Sequence, residues 1–181
     1  MWNCRRWFCP PDFRLDPGWL KEDEFRKTYK PTGEGAIDEK YEYARWRFDA
    51  ADRNFDELNA RAHRLFQFAA ALAGALLAAL KLGDTEPARW ALATPSLILF
   101  CVSAAQALIA HLTGIVPFAP TIRGAMATDG ATAEWKEQMV VSLHCVVRGL
   151  HVFTDWQADR INASTYAMIG GIASLALLLF A

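Results

Sequence analysis

Cysteine is scarce in this chain. Four thiols in 181 residues, Cys4, Cys9, Cys101 and Cys145, are too few and too scattered for a disulfide framework. An excess of either charge is missing as well: 19 Lys and Arg stand against 20 Asp and Glu, so no global basic footprint points to nucleic acid. Residues 1–20 hold basic side chains but no apolar run of the kind a signal peptide needs, and no cleavable leader is expected. Catalytic punctuation is absent too. The chain has no Gly-rich phosphate loop, no Gly-x-Ser-x-Gly and no His-Glu-x-x-His. The expectation is a protein that is not an enzyme, with no catalytic residue, no cofactor and no metal. Cys4 and Cys9 lack the second pair a zinc site would want. His144 and His151 share a helix face without carboxylate or thiolate company.

What is present is unevenly distributed. Residues 1–64 hold 13 of the Lys and Arg and 13 of the Asp and Glu; the last 117 residues hold only 6 and 7. A charged N-terminal third therefore precedes an apolar remainder. Residues 1–37 read as an irregular arm broken at Pro10-Pro11, Pro17-Gly18 and Pro31 to Gly35, with a short helix possible over 22–30. The arm carries Trp2, Trp7, Phe8, Phe13 and Trp19. Those aromatics suit a membrane interface or packing against the chain's own helices.

Residues 38–64 predict a cytoplasmic amphipathic helix with Asp38 as its N-cap. Apolar side chains at Tyr41, Ala44, Phe48, Ala51, Phe55, Leu58, Ala62 and Leu65 alternate steps of three and four, the a/d seam of a helix that packs on one partner. Asp49–Arg53, Arg53–Glu57 and Glu57–Arg61 are opposite-charge neighbours one turn apart and support a solvated face. From residue 65 the seam widens to the whole circumference. Residues 65–82 contain only Gln67 and Lys81 as strongly polar side chains, and residues 90–110 and 163–181 contain no formal charge. About 20 residues cross a bilayer core as helix, so these three stretches are expected as transmembrane helices, the first two joined as a hairpin by 83–89. Residues 111–133 read as a cytoplasmic loop. Residues 134–162 form a second cytoplasmic helix, with a seam at Met139, Leu143, Val146, Leu150 and Phe153. The stretch 134–181 repeats the design of 41–82 and is expected with opposite chain direction.

The fold class that follows is an all-α membrane protein with three transmembrane helices. Two of these continue into long cytoplasmic amphipathic helices that form a bundle. Phe48, Phe55, Leu58, Leu143, Leu150 and Phe153 are the expected cytoplasmic interface. Basic residues cluster before the first stretch and in 111–162, which puts the N-terminus in the cytoplasm and the C-terminus outside. Gln67, Gln106, Ser164 and Thr165 fall at similar depth and form a candidate polar layer, either hydrogen-bonded glue between helices or the polar mouth of a lumen. Gly74, Gly170, Gly171 and Ser174 are small enough for close helix approach.

This layout resembles the small membrane effectors of bacterial antiphage signalling, the SLATT-type and Pycsar transmembrane families. The local text is Leu58-Asn59-Ala60-Arg61-Ala62-His63-Arg64-Leu65-Phe66. Those families carry an acidic residue and then a lysine before the first span; here Asn59 and Arg61 stand in, and the acidic position is not matched. The resemblance covers residues 40–181 in architecture. It implies an effector of the bacterial inner membrane that oligomerises and perturbs the bilayer when a protein or nucleotide signal arrives. The partners it implies are lipid, further copies of the chain and a signalling partner, with no nucleic acid. A non-catalytic anchor that docks a partner protein is the alternative.

Overall fold

A computed structural model describes residues 34–82, 87–112 and 132–180. All three described elements are α-helices: α1 Glu34–Leu82, α2 Pro87–Leu112 and α3 Ala133–Phe180. Residues 1–33 of the expected irregular arm, with the 22–30 helix, Cys4 and Cys9, and most of the 111–133 loop lie outside the described residues, whereas residues 34–37, expected as the end of the arm, are helical because no breaker follows Gly35. Within α1 no residue breaks the ladder between the charged and apolar halves, so the helix runs through both. Asp38 lies inside its first turns and pairs with Lys136 of α3 across the helix surface. Pro95 sits in the third turn of α2. That position lies past the first four N–H groups, which lack an internal acceptor, so Pro95 removes one i→i−4 bond from the ladder.

The chain divides into two compact units, with boundaries inside α1 after Asp56 and inside α3 after Trp156. In the first unit α1 and α3 bury one apolar cluster. Phe48, Ala51 and Phe55 face Met139, Val140, Leu143, Val147, Leu150 and Phe153, with Ile37 and Tyr41 closing one end. Phe48 and Leu143 are fully buried. Truncating a side chain in such a position costs about 2–5 kcal/mol. Aromatic pairs recur along the seam, Tyr41 with Trp135 and Phe55 with Phe153.

Contacts between α1 and α3 keep a constant offset. Asp38 meets Lys136 and Asn59 meets Gln157, each 98 residues on, and Phe55 meets Phe153 at the same offset. The two helices therefore run parallel in both units. This corrects the opposite direction expected for 134–181. The offset of 98 residues is a whole number of heptads, so both seams stay in phase along the pair.

The second unit contains α2 and the later parts of α1 and α3. Here α2 is antiparallel to α3, with contacts at Ala110–Gln157, Gln106–Arg160 and Ser103–Ser164. Small residues line the interior: Ala62, Ala69 and Ala73 of α1, and Ala93, Ala107 and Ala110 of α2. Two helices are long and apolar enough to cross a membrane, within Ala36–Leu82 and Arg89–Leu112. Their most apolar windows are only 11% and 33% buried, far from the enclosure a soluble protein gives its core helices.

Candidate functional site

The two units have opposite interiors. All six buried polar or charged side chains among the described residues belong to the second unit: Ser96, Ser103, Gln106, Gln157, Arg160 and Ser164. Twelve of the fifteen exposed large apolar side chains also belong to it, Phe68, Ile98, Tyr166, Ile169 and Leu177 among them. A soluble core is apolar inside. A unit with small and polar residues inside and large apolar residues outside is stable where the surroundings are themselves apolar, because lipid gives no reason to hide leucine and every reason to hide a hydroxyl.

The polar seam is built on heptad spacing. Ser96, Ser103 and Ala110 recur every seven residues on α2, and Gln157, Ser164 and Gly171 do so on α3. At its centre Ser103 and Ser164 clamp each other. Ser103 Oγ donates to the Ser164 carbonyl at 2.8 Å and Ser164 Oγ donates to the Ser103 carbonyl at 2.9 Å. The hydroxyls themselves are 3.0 Å apart. Toward the charged end, Arg160 Nη1 donates to Gln106 Oε1 at 3.0 Å. Gln157 Nε2 donates to the Ala110 carbonyl at 2.9 Å and to Asn59 Oδ1 at 3.2 Å, so it touches all three helices. Where the polar residues stop, glycine takes over. A Cβ on Gly171 would lie 2.6 Å from the Phe100 ring, whereas one on Gly170 would make an ordinary 3.5 Å contact with Leu99.

Of the expected polar layer, Gln106 and Ser164 point into this seam. Gln67 is exposed and stays on its own helix, with its amide nitrogen 3.0 Å from His63 Nε2. Thr165 is half-buried and donates back to the Ile161 carbonyl at 2.8 Å. Gly74 meets no heavy atom within 4 Å of a built Cβ, and Ser174 is half-buried. Phe48, Phe55, Leu143, Leu150 and Phe153 lie in the first unit's core, and Leu58 flanks the Ala62, Ala110 and Ile161 cluster of the second. Sequence reasoning missed Gln157, Arg160, Asn59 and Ser103. The signal was there for α3: Phe153, Gln157, Arg160 and Ser164 continue the four-three-four step of the upstream seam.

Three buried polar atoms have no partner among the described residues: Ser96 Oγ, Gln157 Oε1 and His111 Nδ1. His111 of α2 faces His63 of α1, ring centres 5.0 Å apart. In the first unit a small cleft is lined by Lys40, Tyr43, Ala44, Arg47, Val140, Leu143, His144 and Val147. Partial burial, and then the charges of Arg47 and Arg148, hold His144 below the usual imidazole range. His151 is exposed. Among the described residues no three His, Cys, Asp or Glu side chains converge. Comparison with family models, curated proteins and solved structures finds no match to this chain.

Proposed function

We propose that the chain is a three-span membrane protein that self-associates and perturbs the bacterial inner membrane, in the manner of an antiphage effector. The inverted interior of the second unit carries the membrane part of this reading. A bilayer is the surrounding in which exposed Phe68, Ile98, Ile169 and Leu177 and buried Ser103, Ser164, Gln106 and Arg160 are all favourably placed. The last part of α3, uncharged from Ala163 onward, is the third span. The apolar α1–α3 seam of the first unit forms the cytoplasmic stalk. Small-residue packing with few bulky knobs holds α1 in the second unit loosely, and that supports rearrangement into an oligomer.

The test is controlled expression in bacteria with a potential-sensitive dye. Depolarisation at modest expression is the expected outcome, with Gln106→Leu reducing it by removing the Arg160–Gln106 hydrogen bond between α2 and α3. Healthy, polarised cells at high expression sink the effector reading. They favour a membrane anchor whose stalk docks a partner, for which the exposed and stacked Tyr43–Trp46 pair is the specific support.

A further inference from the structure

We infer that His63 and His111 form a binding site for a divalent transition-metal ion of the zinc, copper or nickel class, which ties α1 to α2. The first observation is the ring separation of 5.0 Å between the two helices. A metal bound to one nitrogen of each ring at about 2.0–2.1 Å lies about 3.2 Å from each ring centre, and a near-tetrahedral angle then puts the centres about 5 Å apart. The second observation is independent: His111 Nδ1 is buried and has no hydrogen-bond partner among the described residues. A buried nitrogen left in that state calls for an occupant, either an ion or a water.

The third observation is the company of His63. The Gln67 side-chain amide lies 3.0 Å from His63 Nε2, one turn along α1. As placed, the amide N–H donates to His63 Nε2 and the ring proton sits on Nδ1; a metal binding at Nδ1 displaces that proton, and the amide turns over so that its oxygen accepts from Nε2–H. A ligand histidine whose other nitrogen is tied by a carbonyl is the usual arrangement at metal sites. Imidazole suits late first-row divalent ions better than calcium or magnesium. Two protein nitrogens leave positions for water or for a further ligand.

The experiment uses full-length protein in detergent, stripped with chelator and titrated calorimetrically with Zn²⁺. In parallel, Co²⁺ reports its ligands through visible absorption. One equivalent per chain, a nitrogen-type cobalt spectrum and a rise in Tm are expected. His63→Ala and His111→Ala should each abolish all three. Gln67→Leu should keep the site and weaken it about 10-fold, a change that a mere loss of folding would not mimic. Helical circular dichroism of each variant checks that the fold is intact. Absence of saturable binding into the millimolar range overturns the proposal and leaves water as the occupant. Binding that survives both histidine substitutions also overturns it, since the metal then sits elsewhere, for example on Cys4 and Cys9. Neither outcome depends on whether the chain depolarises cells.

Discussion

Glycine 171 and glycine 74 look alike in the sequence and differ completely in consequence. A methyl group at position 171 would enter the Phe100 ring, with 2.6 and 2.8 Å approaches. Gly171→Ala is therefore expected to lower stability by about 1–3 kcal/mol, the usual cost of overpacking a tight contact. At position 74 nothing lies within 4 Å. Gly74→Ala should be neutral or stabilising by up to about 1 kcal/mol through helix propensity alone. Denaturant titration in detergent, followed by circular dichroism, separates the two. His144 gives a pH signature. Its folded pKa is lowered by partial burial and by Arg47 and Arg148, so the unfolded chain takes up a proton more readily. Stability contributed by the neutral ring is complete above the unfolded value near 6.5 and declines as pH falls through and below it. His144→Gln should flatten the stability profile on that acid side.

Between helices, the Ser103–Ser164 clamp is the place to measure what holds α2 to α3. A double-mutant cycle with both alanine substitutions should return a coupling of about 0.6 kcal/mol and no more than about 1.7, as membrane hydrogen bonds do. The small value has a physical cause: in an apolar surrounding the separated serines find backbone carbonyls of their own. Such a seam sets register more than it sets stability. The α1–α3 seam of the first unit behaves in the opposite way. Phe48→Ala or Leu143→Ala removes a fully buried side chain and should cost about 2–5 kcal/mol. Reading that loss by hydrogen exchange of α1 and α3 should show protection falling along 37–56 and 139–156.

For the molecule as a whole, the distribution of exposed apolar surface makes a prediction that any soluble arrangement fails. Trp90 begins the apolar part of α2 and is exposed, whereas Trp156 packs on Phe153 of the first unit. In liposomes containing brominated lipid, a variant keeping only Trp90 should be quenched and one keeping only Trp156 should not. Equal quenching, or none, counts against a membrane-embedded second unit. Under the proposed three-span topology, with the basic residues before α1's apolar half held in the cytoplasm, a reporter fused after Ala181 should be active only outside it.

The sequence by itself determined the period and the partition. Steps of three and four from Tyr41 to Leu65 and from Met139 to Phe153 set two amphipathic helices, because a stripe at that spacing has only one way to face a partner. The length of the uncharged runs then made two helices suited to a bilayer. Only the tertiary structure decided which polar residues matter. Gln67 and Gln106 read the same along the chain, yet one lies on an outer face and the other meets Arg160 on α3. Arg160 and Gln157 sit among Asp155 and Asp159 along the chain, and their burial depends on which face α2 presents to them. Local spacing fixes the stripes on each helix. The parallel alignment at an offset of 98, the serine clamp and the facing histidines come from contacts between residues far apart in the chain, and no local pattern encodes those.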